Sequence, residues 1–173
     1  MTAREKDVRL VWANRVLTAF SLILFFATAW MCLIERCIFQ PPPPGALPQN
    51  AFFLRLGKGS DSRIAALHLP ARNGERTILY SHGNAEDLSS IVPLLESFRR
   101  RGFGVLAYDY EGYGASTGVP SEQAAYRDIE RCWEHLTCEC GIPPESILVC
   151  GRSVGSGPAT WLAARKNPGG LIL

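Results

Sequence analysis

The sequence predicts an α/β fold, a mostly parallel sheet with helices on both faces, preceded by one transmembrane helix. Three observations carry this reading. From Val16 to Ile34 no residue is charged. From about residue 51 onward, short strand-like apolar runs alternate with stretches whose apolar residues recur at helical spacing. Glycine-containing turns stand where several of those runs give way to helices. With 18 basic and 16 acidic residues in a chain of 173, the formal charge of +2 gives no reason to expect nucleic acid as a partner.

Residues 1–15 form a basic N-terminus, and the uncharged span 16–34 is close to the ~20 residues that a helix needs to cross the hydrocarbon core. Arg4, Lys6, Arg9 and Arg15 precede it, whereas Arg36 stands almost alone after it. The positive-inside tendency therefore puts the N-terminus in the cytoplasm and the following domain on the extracytoplasmic side. Trp12 and Trp30 lie near the two interfaces, as anchoring tryptophans do. One rival reading is a cleaved secretory signal, with Ala27-Thr28-Ala29 as a loose cleavage site, although the apolar run exceeds the usual ~7–15 residues. The other is a buried core helix, which continuous apolarity of this length disfavours. Residues 35–50 read as a linker, because the four prolines of Gln40-Pro41-Pro42-Pro43-Pro44-Gly45 fix φ and favour an extended rod. It reads as a stalk, with a proline-motif ligand as the alternative.

The remaining residues, 51–173, form the α/β domain. Ala51–Leu56 and Arg63–Leu69 are strand-like runs around Gly57-Lys58-Gly59-Ser60-Asp61, a hairpin turn. After Ala71-Arg72-Asn73-Gly74 comes the strand Thr77–Tyr80, then a helix carried by Leu88, Ile91, Leu94, Leu95 and Phe98, then the strand Gly104–Tyr108. Ser121 can cap the next helix, whose apolar face is Ala124, Ala125, Ile129, Cys132, Trp133 and Leu136. Ile147–Cys150 is a short buried strand, followed by a helix after Ser153 and a last strand start at Gly170–Leu173. Strands alternating with helices require right-handed crossovers and a parallel sheet covered on both sides.

The chemistry sits at two of these junctions. Gly151-Arg152-Ser153-Val154-Gly155 leaves a strand and opens a helix, the context of a G-x-S-x-G nucleophile turn. Gly151 and Gly155 let strand and helix approach, while Ser153 is held strained with its hydroxyl exposed. Taken alone, the pattern is also that of an ordinary strand-to-helix glycine turn. The second junction is His82-Gly83-Asn84-Ala85, directly after the strand ending at Ser81. That loop faces the serine turn in this topology, and the backbone N–H groups of Asn84 and Val154 are the expected pair of oxyanion donors. His82 precedes the serine, so its expected work is to shape the turn rather than to act as general base.

These motifs, His82 through Leu88, Tyr108-Asp109-Tyr110-Glu111-Gly112-Tyr113-Gly114 with Ser116 and Gly118, Pro120-Ser121-Glu122, and Gly151 through Gly155, resemble the α/β-hydrolase superfamily. The resemblance is to its membrane-associated branch, which includes the protein-depalmitoylating thioesterases and related serine hydrolases of bacteria and fungi, and it runs from about residue 51 to 173. It implies the N-terminal half of an α/β-hydrolase fold, with Ser153 as nucleophile, Asn84 and Val154 as backbone oxyanion donors, and Asp109 as a brace of the loop after its strand. It implies further that the acid and histidine of the triad lie beyond Leu173, so the expectation is of a fragment; His68 and His135 are no evident substitutes. The expected function is hydrolysis of an ester, thioester or amide through an acyl-enzyme, on a small-molecule or acylated substrate at a membrane, without cofactor or metal. The alternative is a non-catalytic membrane-anchored binding module.

The six cysteines do not form one scheme. Cys32 and Cys37 lie in or beside the anchor, and Cys150 is read as core. A disulfide within Cys132, Cys138 and Cys140 is one expectation for an extracytoplasmic domain. Zinc is disfavoured, because these three lack a second spaced pair or a histidine set nearby in sequence.

Overall fold

With neither proline nor glycine between Ala3 and Ile38, nothing in the local chain interrupts a helix. One helix, α1 (Ala3–Ile38), runs the whole length. The computed structural model describes residues 3–57, 61–71 and 76–173. The expected turns at 57–61 and 71–74 lie partly outside the described residues, as do the side chains of Arg4, Lys6, Arg9 and Cys32. Within α1, Asn14–Ile38 is long and apolar enough to cross a membrane, and none of its most apolar window is buried by protein. The chain divides into a unit ending at Cys37 and an α/β unit formed by Ile38–Leu173.

Of the segment 35–50 that the sequence reads as a linker, residues 38–50 belong to the α/β unit. Phe39 is buried in its core. The Gln40 N–H donates to Asn84 Oδ1 at 2.8 Å, and the Gly45 N–H donates to Asp87 Oδ2 at 2.8 Å. The prolines between them join no helix or strand, as their fixed φ and missing N–H require. An apolar ring to bury and two side-chain oxygens to accept from the backbone nevertheless favour a bound path over a solvated one.

The sheet has six strands: β1 (Phe52–Arg55), β2 (Arg63–Leu69), β3 (Thr77–Ser81), β4 (Gly104–Tyr108), β5 (Ile147–Gly151) and β6 (Gly170–Ile172). Their spatial order is β1-β2-β4-β3-β5-β6. β2 is antiparallel to both of its neighbours, β1 and β4, and all remaining pairings are parallel. The crossovers are α2 (Leu88–Arg100), α3 (Glu122–Glu134) and α4 (Ser156–Lys166). Asp87 caps α2 by accepting from Ser90 N–H, and Ser121 caps α3 by accepting from Ala124 N–H, each worth about 1 kcal/mol. Alternate residues serve opposite faces, so Ile64, Ala66, Leu79 and Leu106 pack with Ile129 and Leu162, while Ala65, Leu67, Ile78 and Val105 pack with Leu88, Ile91 and Leu95. Because the connection from β3 leads to β4 on one side and β5 lies on the other, the crevice at the carboxyl end of β3 is a topological switch point.

One buried carboxyl makes the fold sensitive to pH. Asp128 Oδ2 accepts the Glu111 N–H at 2.8 Å, while Oδ1 is buried without a partner among the described residues. Burial, assisted by the Glu111 charge, raises its pKa to about 8. The native state thus keeps a proton that the unfolded chain, ordinary at 3.8, has released. Stability from this group is complete below the unfolded value, declines as pH rises, and is gone above about 8. Asp128→Asn preserves the acceptor and removes the titration. It is expected to gain a few kcal/mol over the wild type between pH 5 and pH 9, roughly the cost of a shift of several units, in urea melts at the two pH values. Parallel pH curves for the two proteins would refute this.

Candidate active site

β5 ends at Gly151 and α4 begins at Ser156, which leaves one tight helical turn, Ser153–Gly155, to reverse the chain. Ser153 sits at φ 52°, in the left-handed region, at a cost of about 1–2 kcal/mol for a residue with a β-carbon. It is exposed. The flanking glycines are there for space. A β-carbon on Gly151 would lie 2.4 Å from the Gly155 carbonyl oxygen, and one on Gly155 would lie 2.3 Å from that of Ser81 and 2.8 Å from that of His82.

The last contact shows where the second loop lies. Ser81 is in parallel register with Gly151, and the Arg152 N–H donates to the Ser81 carbonyl at 3.0 Å. The ends of β3 and β5 are therefore stitched together, with residues 82–85 beside the serine turn. Arg152 also pairs with Glu86, whose other carboxylate oxygen accepts the Gly83 N–H at 2.7 Å. Among the described residues, the backbone N–H groups of Asn84 and Val154 donate to no protein acceptor.

Three tyrosines hold this loop from beneath. Tyr108 shares a hydrogen bond with Ser81 Oγ at 2.9 Å, Tyr110 donates to the His82 carbonyl at 2.7 Å, and Tyr113 donates to Asn84 Oδ1 at 2.6 Å. Burial raises the pKa of all three, that of Tyr113 to about 12, so their hydroxyls stay protonated. The Asn84 side chain is further occupied by Gln40 N–H and by the Ile38 carbonyl.

His82 is fully buried, with Nδ1 2.8 Å from the Gly83 carbonyl and Nε2 3.5 Å from Asp109 Oδ1. No hydrogen bond joins it to Ser153 among the described residues. Asp109 Oδ1 accepts the Leu88 N–H at the start of α2, 2.7 Å away. A β-carbon on Gly114, at φ 49°, would meet Asp109 Oδ2 at 2.0 Å. The structure thus gathers Ser153, Val154, Gly151 and Gly155 with His82, Gly83 and Asn84 at one crevice, and places Asp109 under the second loop. Glu86, Arg152 and the tyrosine hydroxyls are participants that the sequence reading missed. Their positions inside the motifs His82–Leu88, Tyr108–Gly114 and Gly151–Gly155 were the available signal.

His68 and His135 lie elsewhere. His68, opposite Leu106 in β2, lines a cavity with Thr77 at the start of β3 and Ser146 just ahead of β5, the sheet end opposite Ser153. Cys140 joins the two histidines there. Linear spacing hides this group, because His68 is 72 residues from Cys140. Cys132, Cys138 and Cys140 are all free thiols, which departs from the disulfide expectation.

A family model described as serine aminopeptidase, S33, matches residues 72–173. The human alpha/beta hydrolase domain-containing protein 17B is 40% identical over 126 residues, covering 72% of this chain and 43% of that protein. The Caenorhabditis elegans alpha/beta hydrolase domain-containing protein aho-3 is 43% identical over 117 residues, covering 65% and 34%. The chain therefore spans less than half the length of these curated relatives. Among solved structures, an esterase from Pyrococcus furiosus superposes with a TM-score of 0.60 at 16% identity, covering 74% of this chain and 54% of its own. A carboxyl esterase from Bacillus coagulans superposes with a TM-score of 0.59 at 21% identity, covering 71% and 43%. At those identities the structures establish the fold alone.

Proposed function

The chain belongs to the serine aminopeptidase S33 family of α/β-hydrolases, and from this we propose that it supplies the nucleophile and oxyanion hole of a membrane-bound serine hydrolase. In this reading Ser153 Oγ attacks the carbonyl carbon of an ester, thioester or amide. The charge that develops on the carbonyl oxygen is received by the N–H groups of Asn84 and Val154. The proton leaving Ser153 goes to a histidine supplied by the whole protein outside these residues, because the serine hydroxyl is a poor nucleophile at neutral pH without a base. The tetrahedral intermediate then collapses, breaking the bond to the alcohol, thiol or amine, which leaves with the proton that the histidine returns, and water hydrolyses the acyl-serine to free the acid and restore Ser153. The observation that carries the proposal is the left-handed, exposed serine between two glycines that have no room for a side chain. An ordinary glycine turn has no need to hold a serine at positive φ, and strain of this kind concentrates at working sites.

The substrate class we infer is a small or acylated molecule presented at a membrane, since the chain carries a helix able to span one. Orientation follows the charge bias around that helix, with the hydrolase domain on the extracytoplasmic face. One experiment tests both points: treating cells that express the full-length protein with a membrane-permeant and an impermeant fluorophosphonate, then locating the adduct by peptide mass spectrometry. Both probes are expected to modify Ser153. Labelling by the permeant probe alone would reverse the orientation and leave the chemistry standing. An unlabelled Ser153 in folded protein would sink the hydrolase reading and leave a binding module.

A further inference from the structure

We propose that His68, His135 and Cys140 form a three-ligand site for a borderline-soft divalent cation of the Zn²⁺ kind, at the sheet end opposite Ser153. The backbone itself builds the group. After α3 the chain does not continue as an α-helix but winds into a π-helical turn, His135–Glu139, in which the Cys140 N–H donates to the His135 carbonyl at 2.9 Å. Such turns are rare and recur at functional sites. An α-helical continuation would carry residue 140 roughly 140° round the axis from residue 135. The wider turn stacks them instead, with Cys140 Sγ 3.5 Å from His135 Nε2.

β2 delivers the third ligand. His68 points to the α3 side of the sheet with Ile64 and Ala66, and its Nδ1 lies 3.9 Å from Cys140 Sγ. All three ligand atoms fall within 4.8 Å of one another. A tetrahedral zinc with bonds of about 2.0–2.1 Å to nitrogen and about 2.3 Å to sulfur has S···N edges near ~3.6 Å and N···N edges near ~3.3 Å. The sulfur edges already fit, and no separation must close by more than about 1.5 Å.

The surroundings fit a ligand role. His135 Nδ1 is 2.8 Å from Glu139 Oε2, which in turn pairs with Arg131 at 2.6 Å through its other oxygen. A carboxylate behind a histidine fixes the tautomer and aims the free nitrogen at a metal. The Nε2 of His68 is buried without a hydrogen-bond partner among the described residues, and its ring stands edge-on to that of His135 at 5.8 Å between centroids. Such a ring is a poor choice for a merely apolar core. Cys140 is exposed, and a cavity of about 570 Å³ borders both it and His68, giving the ion an entry and room for a water as fourth ligand. The bound ion would fasten β2 to the end of α3, and neither Ser153 nor the oxyanion loop touches it.

Full-length protein, stripped with chelator in detergent, is titrated with Co²⁺ and then Zn²⁺. The expected result is uptake of a single equivalent of Co²⁺ with a thiolate-to-metal absorption band, displacement by Zn²⁺, and a rise in Tm. Cys140→Ser and His68→Gln are expected to abolish the band, Cys138→Ser to leave it unchanged, and Glu139→Gln to weaken affinity about 10- to 100-fold. Wild-type protein that takes up no stoichiometric Co²⁺, or takes it up without the band, overturns the proposal whatever the variants do. So does a band that survives Cys140→Ser and disappears in Cys138→Ser.

Discussion

Replacing Ser153 with alanine in the full-length protein is expected to lower kcat on an activated ester or thioester by about 10⁶-fold, the scale seen when a triad serine is removed. What survives, about 10³–10⁴ over water, is the share of the oxyanion donors and of binding, so KM should change little. Glycine at the same position separates chemistry from strain. Ser153 pays for a φ of 52°, and glycine adopts that conformation without steric cost. Ser153→Gly should therefore be as inactive as the alanine variant yet more stable by about 1 kcal/mol. Steady-state kinetics and thermal melts on both variants check the pair. An alanine variant that retains a tenth of wild-type activity, or a glycine variant that melts below it, would remove the serine from its assigned role.

Much of this candidate site is legible in the sequence, because its constraints are local. The turn around Ser153 is dictated by neighbours in sequence: a strand of apolar residues ending at Gly151, a serine, and a glycine two positions on. The loop at His82–Ala85 follows its strand in the same way, and the parallel alternation brings the two ends together. Ser121 as a cap and the apolar faces of α2 and α3 were equally visible, since period and capping are properties of short windows. The path of residues 38–45 was not. Proline composition fixes φ but says nothing of what lies beneath, and the acceptors that hold Gln40 and Gly45 come from Asn84 and Asp87, more than 40 positions away. The tyrosine braces were hidden for the same reason. Tyr108, Tyr110 and Tyr113 reach Ser81, His82 and Asn84 only because β4 lies beside β3. The grouping of His68 with His135 and Cys140 needed two long-range facts together, the position of β2 against the α3 face and a π-helical turn that no residue pattern announces.

The contact between the two loops leads to the second large effect, at Gly155. Its φ of −63° is ordinary, so glycine is present for room and not for conformational freedom. The atoms that a side chain would strike are the carbonyl oxygens of Ser81 and His82, and neither can yield cheaply. The first accepts the Arg152 N–H and the second accepts the Tyr110 hydroxyl. Gly155→Val must push the serine turn away from the loop His82–Ala85, which, in the proposed hydrolase, separates the Val154 N–H from the Asn84 N–H. Losing one donor of such a pair costs about 10²–10³ in kcat, and overpacking adds roughly 1–3 kcal/mol of destabilisation. Gly157, two residues further along α4, supplies the control, because a β-carbon there meets nothing within 4 Å. Gly157→Ala should leave kcat unchanged and raise stability by about 0.5–1 kcal/mol through helix propensity alone. If both substitutions reduced kcat alike, the effect would belong to α4 in general, and the close approach of Gly155 to Ser81 and His82 could not be what aligns the two amides.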